Sequence, residues 1–62
     1  MCLATAYVKK DDENAVLAKN IAKIRLEGDE IVMTDILGEE YVVKGRLISA
    51  DLAGGVVEIL AA

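Results

Sequence analysis

Residues 21–37, IAKIRLEGDEIVMTDIL, decide the fold of this chain. Apolar and charged residues alternate before the segment EGDE (27–30), and an apolar run follows it. Such alternation is typical of a half-buried strand, and a Gly-Asp pair between two such runs favours a tight turn. We therefore predict a β-hairpin, with Ala22, Ile24 and Leu26 on the buried face of its first strand.

Short apolar runs on both sides of the hairpin extend this prediction to the whole chain. They are CLATAYV (2–8), YVVKG (41–45), RLISADL (46–52) and VVEIL (56–60). The segment AVLAKN (15–20) is too short for periodicity to distinguish a helical turn from an extended piece. We predict an all-β fold, a small antiparallel meander of about six strands that curls into an SH3-like barrel. A sandwich made by two facing sheets of a dimer is the alternative.

The length of 62 residues fits one small domain spanning residues 1–62. A folded chain of this size buries only about 60% of its unfolded surface, so one core alone is marginal. The composition is 55% hydrophobic with a mean hydropathy of +0.40, and one cysteine cannot form an internal disulfide. We expect a homodimer with two-fold symmetry that buries the surplus apolar surface.

The charge balance argues against nucleic acid as a partner. Asp and Glu number 11 against 7 Lys and Arg, a net charge of −4, and this repels phosphate backbones. Lys9 and Lys10 run directly into the acidic residues 11–13, and only Tyr7 and Tyr41 are aromatic. Two aromatic residues are too few for a base-stacking platform.

The sequence favours a cytoplasmic protein without a membrane partner. No apolar run approaches the roughly 18 residues that span a bilayer, and no basic segment precedes an apolar stretch at the start of the chain. An unpaired thiol without a secretion signal fits a reducing compartment.

Catalysis is not expected from the residues present, so we predict that the chain is not an enzyme. There is no histidine, so Cys2 lacks its usual general base. Ser49 is the only serine, and no glycine motif of the P-loop or dinucleotide-binding kind occurs.

Cys2 is the one residue whose position suggests chemistry. If Met1 is retained, its α-amine, the Cys2 amide nitrogen and the Cys2 thiolate form two adjacent chelate rings. If Met1 is removed, the amine and thiolate of Cys2 form one ring. Such N,S donors suit Ni(II) or Cu(II), while soft thiolates also attract Cu(I) and Zn(II). One chain offers an incomplete set of donors, so we predict a metal site near a two-fold axis that brings two copies of Cys2 together. The alternative is a small buried hydrophobe.

Other possible ligands have simpler roles. We interpret the acidic residues 11–13, Glu39 and Glu40 as solvated turn charges. Met33 alternates with Ile31, so we predict that it fills core space rather than binding a soft metal.

The chain resembles the CooT family of small nickel-binding proteins over nearly its whole length. The similarity lies in the start MCLA…Y and in EGDEIVMTDILGEE (27–40), VKGRLISADL (43–52) and VVEIL (56–60). The resemblance implies a small β-barrel homodimer that delivers nickel to carbon monoxide dehydrogenase. It also implies that Cys2, directly after Met1, is the metal ligand. The segment LAKN (17–20) departs from the acidic pattern of relatives and offers no anionic ligand for a secondary metal site.

Two functional hypotheses follow. The first is a nickel-binding accessory protein that holds Ni(II) through Cys2, with Met1 supplying its amine. The second is an SH3-like RNA-binding or protein-interaction module, with an incidental Cys2 and a face of exposed Arg25, Arg46 and lysines. A redox role through an intermolecular Cys2–Cys2 disulfide is a weaker third option.

Overall fold

The structure is a computed structural model that describes residues 3–11 and 13–62. Met1, Cys2 and Asp12 lie outside the described residues. The described part is all-β, as the sequence predicts. It contains five strands: β1 (Ala4–Lys10), β2 (Glu13–Glu27), β3 (Glu30–Asp35), β4 (Glu40–Asp51) and β5 (Val56–Ala61).

The five strands close into a ring in which every strand has two neighbours. Strands that follow one another along the chain pair antiparallel, whereas the closing pair, β1 with β5, is parallel. The parallel closure follows from the odd number of strands, because a chain that reverses direction at every turn has its first and fifth strands pointing the same way. The prediction of an antiparallel meander is confirmed for the strands that follow one another along the chain, while the number of strands is five rather than about six.

The long strand β2 explains the difference in strand number. Its first part pairs with β1 and its second part with β3, and Ile21 is in register with both Ala4 and Asp35. Asn20, just before this point, has a φ of 59°. Asparagine tolerates this left-handed conformation better than most residues, so β2 bends there without ending. The ambiguous segment 15–20 is therefore the extended first part of β2.

Strand β4 changes neighbours in the same way, from β3 to β5, around Gly45. The φ of Gly45 is 155°, and a Cβ placed there would lie 2.2 Å from the Leu60 carbonyl oxygen. Only glycine allows the two backbones to approach so closely. The prediction of a bend at Gly45 is consistent with this geometry, but the runs 41–45 and 46–52 belong to one strand.

The core lies inside the ring and is built mainly on β3 and β5. The largest side chains that are essentially inaccessible to solvent are Ile31, Met33, Val57 and Ile59. The prediction that Met33 fills core space is confirmed. Small residues, Ala4, Ala6 and Ala18, complete the core where β1 and β2 pair.

The hairpin of residues 21–37 is confirmed, but its buried face differs from the prediction. Ile21 is buried, Ile24 is half-buried, and Ala22 and Leu26 are exposed, Leu26 to 60%. The register of β2 with β3 is irregular between Ile21 and Lys23, so the inward position at the start of the hairpin is Ile21 rather than Ala22.

Many large apolar side chains remain exposed on this small chain. They are Val16, Leu26, Ile36, Leu37, Val42, Leu47, Ile48, Leu52 and Leu60. Within residues 3–11 and 13–62 the structure has no helix long and apolar enough to cross a membrane.

Replacing Gly45 by alanine is expected to destabilise the fold by about 3 kcal/mol, because the new Cβ would meet the Leu60 carbonyl and the backbone conformation would be strained. Urea denaturation followed by circular dichroism measures the loss. Gly28→Ala is the matched control, since Gly28 also has a positive φ but a Cβ there meets nothing within 4 Å. Equal losses in the two variants would contradict the role of the close approach at Gly45.

Candidate functional site

The predicted metal ligands, Cys2 and the amine of Met1, lie outside the described residues, so the site is defined here by what surrounds the start of β1. Leu3 is the first described residue and leads into Ala4, which is buried. In the sequence, Leu3 directly follows Cys2.

The turn between β4 and β5, residues 52–55, lies directly against the start of β1. The Thr5 amide donates to the Gly55 carbonyl oxygen at 2.8 Å. Gly55 has a φ of 71°, and a Cβ there would stand 3.1 Å from the Leu3 carbonyl oxygen. A side chain at residue 55 would therefore push on the residue that follows Cys2.

The turn is itself held by a carboxylate. The Gly54 amide donates to Asp51 Oδ1 at 2.8 Å. A Cβ on Gly54 would stand 2.7 Å from Asp51 Oδ2, so this glycine also allows a close contact. Asp51 thus caps the turn that packs against the chain start, as Asp commonly does in turns.

A cavity of about 180 Å³ opens beside the same end of the ring. Ala4 and Val57 contribute to it from β1 and β5, and Leu52 from the turn. The remaining lining residues are Ile21, Ala22, Lys23 and Ile24 of β2. The lining is apolar except for Lys23, and Ala4 brings the cavity within two residues of Cys2.

No ready-made metal cluster occurs among residues 3–11 and 13–62, because no three His, Cys, Asp or Glu side chains there converge on one point. Asp11, Glu13, Glu39 and Glu40 are exposed at turns or strand starts, consistent with their prediction as solvated charges.

Two of the cations of the described residues lie beside carboxylates. The Arg25 Nε donates to the Glu27 carboxylate in an exposed ion pair. Lys44 of β4 lies in register opposite Glu30 of β3. The face of exposed cations in the module hypothesis is therefore broken by acidic neighbours.

The turn after β3 contains a polar network that the sequence reasoning missed. Asp35 Oδ1 accepts the amides of Leu37 at 2.9 Å and Glu39 at 3.0 Å, and Asp35 Oδ2 accepts the Tyr41 hydroxyl at 2.9 Å. The Glu39 carboxylate is a second, longer acceptor for Tyr41. The signal was present in the order Asp-Ile-Leu-Gly-Glu, since an Asp side chain that accepts amides two to four residues later is a common turn device.

This network shifts the ionisation of both partners. Partial desolvation would raise the pKa of Asp35, but hydrogen bonds from the amides of residues 37–39 and from Tyr41 outweigh it and lower that pKa. The hydrogen bond to Asp35 is the main cause that raises the pKa of Tyr41, followed by desolvation and by the charges of Asp35 and Glu39.

Comparison with known proteins identifies the relatives of the chain. The model of the family described as "CO dehydrogenase accessory protein CooT" matches residues 1–60. A search of curated protein sequences finds no significant match.

Among solved structures, the chain is similar to the crystal structure of a CooT candidate from Carboxydothermus hydrogenoformans. The TM-score is 0.88 and the alignment covers 98% of both chains, at 16% sequence identity. At this identity the similarity shows a shared all-β fold of the same extent.

Asp35→Asn is expected to lower the pKa of Tyr41 towards its ordinary value, because the variant loses the carboxylate charge that favours the neutral phenol. Alkaline titration of tyrosinate absorbance measures the shift, in a Tyr7→Phe background so that Tyr41 alone contributes.

The dependence of the folding stability on acidic pH gives a second test of the same network. The folded pKa of Asp35 lies below its unfolded value, so its stabilising effect is present above that unfolded value and disappears as the pH falls through the folded one. The Asp35→Asn variant should lack this part of the acid dependence. A Tyr41 pKa that does not change in the variant would contradict the network.

Proposed function

The chain belongs to the CooT family of CO dehydrogenase accessory proteins, and from this premise we propose that it binds Ni(II) through Cys2 as a cytoplasmic homodimer that serves CO dehydrogenase maturation. An accessory protein assists the enzyme and is not itself an enzyme. The proposal concerns the cargo, the ligand and the assembly.

The observation that carries the proposal is that the family match begins at residue 1 and so includes Met1 and Cys2. The only cysteine of the chain then falls where an amine, an amide nitrogen and a thiolate are adjacent. Nickel(II) favours tetragonal arrangements of nitrogen donors, and a thiolate strengthens such a site. The cargo would be held by the chain start rather than by an enclosed cage.

The contacts around the start of β1 support the proposal. The β4–β5 turn contacts Leu3 and Thr5, which fixes the entry into β1. The cavity beside Ala4 is open at the same end of the ring. A metal held there would have a firm base and room for a second molecule.

The exposed apolar surface supports the homodimer. Nine large apolar side chains are exposed among the described residues, including Leu37 and Leu52. A chain of 62 residues has a marginal core on its own, so association that covers part of this surface would stabilise it. A second copy would also supply the second Cys2 thiolate that completes the metal coordination.

Cys2→Ser is expected to abolish Ni(II) binding while leaving the fold intact, because it removes the thiolate donor. Calorimetric titration should give one Ni(II) per dimer for the reduced wild-type protein, together with a thiolate-to-nickel charge-transfer band. A double variant, Cys2→Ser with Ser49→Cys, is the matched control, since it keeps one exposed thiol per chain but moves it to β4. Unchanged affinity in Cys2→Ser, or full recovery in the double variant, would refute the assignment.

Gly55→Ala is expected to weaken Ni(II) binding by roughly tenfold, as is typical when groups that support metal ligands are disturbed. The new Cβ would press on the Leu3 carbonyl and displace the segment that carries Cys2. Gly28→Ala is the matched control, because it places alanine at a similar positive φ, far along the chain, without any contact. Nickel affinities are compared after both variants are checked for stability in urea, and equal affinities would contradict the supporting role of the turn.

A further inference from the structure

The outer surface of the ring carries a row of three side chains across β4, β5 and β1. On β5, Val57 and Ile59 are buried in the core, so Leu60 lies on the outer face by the alternation of a strand. Arg46 of β4 and Lys9 of β1 are in register with Leu60 on its two sides. Residues in register across a ladder share a face, so a leucine stands between two cations.

The two cations of this row have no carboxylate partner in the described part of the chain. The ion pair found there joins Arg25 to Glu27 on β2. Lys9 and Arg46 are both exposed, and each is in register with an apolar residue instead of an acidic one. In a chain with a net charge of −4, two such cations side by side are available to a negatively charged partner.

Apolar surface adjoins the row on the same outer face. Leu60 is 36% exposed and Val16 of β2 is 53% exposed. Tyr7 is half-buried, is in register with Val16, and precedes Lys9 by two positions on β1. Arginine and tyrosine are enriched in protein–protein interfaces, where they surround apolar contacts. We call Lys9, Arg46, Leu60, Tyr7 and Val16 the cation–leucine face.

One carboxylate lies on this face, and it is engaged within the molecule. Glu58 is in register with Tyr7, one row away from the two cations. The Ser49 hydroxyl donates to Glu58 Oε1 at 2.9 Å. This hydrogen bond draws the carboxylate towards β4, so the row itself keeps its positive charge.

The closed ring determines how a partner can contact the face. Every strand has two neighbours, so in the described part of the chain no strand edge is open to an added strand. A partner must therefore lie across the strands and bind through its side chains.

The spacing of the row matches an extended segment of the pattern Glu-x-Leu-x-Glu. The backbones that carry Lys9 and Arg46 are two strand spacings apart, about 10 Å. Alternate residues of an extended segment share one side, and its outer carboxylates are about 13 Å apart. The long lysine and arginine side chains cover the difference, and the central leucine of the segment then meets Leu60.

We infer that the cation–leucine face docks an extended acidic segment of another protein, in which two carboxylates flank an apolar side chain. Lys9 and Arg46 bind the carboxylates, and Leu60 packs against the apolar side chain. The row lies at the end of β1, whereas Leu3 and Gly55 meet at its start, so a docked partner leaves the start of β1 open. The inference goes beyond the proposed nickel role and requires neither the metal nor Cys2.

A titration of the full-length, reduced, isotope-labelled protein with a synthetic peptide tests the inference by nuclear magnetic resonance. The probe is the capped peptide Gly-Glu-Ser-Leu-Ser-Glu-Gly. Its addition should shift amide signals of residues 7–9, 46–47 and 58–61, and salt should weaken the binding because it screens exposed charges. The control peptide Gly-Ser-Glu-Glu-Leu-Ser-Gly has the same composition without the spacing. Absence of shifts on the face, or equal affinity for both peptides, overturns the inference.

Charge-reversal variants locate the contact. Arg46→Glu and Lys9→Glu should each weaken peptide binding by about tenfold, because an attraction is replaced by a repulsion of similar size. Lys19→Glu is the matched control with the same change of charge. Lys19 is an exposed residue of β2 that lies five positions beyond Asn14, which is in register with Lys9. Its variant should bind the peptide within about twofold of the wild type.

Glu58→Gln changes the affinity in the opposite direction. Removing this neighbouring negative charge should strengthen peptide binding by about twofold, since exposed charge pairs contribute little individually. Circular dichroism checks that the fold of each variant is unchanged. Equal losses of affinity in Lys19→Glu and Arg46→Glu, or weaker binding in Glu58→Gln, would show that the peptide does not dock on this face.

Other occupants of the face give different results. A short oligouridylate that shifts the same amides and binds more tightly than the peptide would assign the face to nucleic acid and overturn the inference. A change of oligomeric state in Arg46→Glu, measured by sedimentation velocity, would assign it to a second copy of the chain and also overturn it. Nickel titration of Cys2→Ser reports separately on the metal, and peptide binding retained in that variant supports the docking face whatever the nickel result.

Discussion

The bend of β2 at Asn20 is the constraint on which the rest of the structure depends. β2 pairs with β1 up to Ile21 and with β3 from Ile21 onward, so its pairing changes from one neighbour to the other directly after Asn20. The left-handed backbone of Asn20 provides the change of direction, and its carbonyl oxygen then accepts the amide of Ile36. A single residue thus links the closure of the ring to the position of the turn after β3.

That linkage brings the start of β1, the end of β3 and the β4–β5 turn into one region of the ring. Ile21, next to the bend, joins the start of β1 on one side and the end of β3 on the other. The β4–β5 turn completes the surroundings by packing against Leu3 and Thr5. The start of β1, the open cavity and the end of β3 are therefore close neighbours in the ring.

Local signals in the sequence predicted the local structure well. The hairpin around Gly28, the core position of Met33 and the special backbone of Gly45 all follow from alternation and from the needs of tight turns. The strand count failed because a run of six residues before Asn20 carries no clear period, and because a glycine within a strand looks the same in sequence as a break between two strands. Counting about six strands instead of five also hid the parallel closure of the ring.

The proposed ligand rests on the sequence, whereas the contacts around the start of β1 are seen only in the structure. The position of Cys2 beside the α-amine is visible in the sequence, and the family match over residues 1–60 includes it. The contact between Gly55 and Leu3 joins residues that are far apart along the chain, so no local pattern announces it. Residues 53–55 were predicted only as a turn, and the exposure of Leu37 was hidden by its apolar neighbours in a segment that resembles a strand.

The parallel pairing of β1 with β5 has a practical consequence for handling the molecule. Both strands run away from the end where Leu3 and Gly55 meet, with Thr5 opposite Val56 and Lys9 opposite Leu60. Residue 62 therefore lies about 20 Å from the start of β1, at the far end of the ring. An affinity handle, dye or surface tether attached there leaves the end of the ring where Leu3 and Gly55 meet facing the solution.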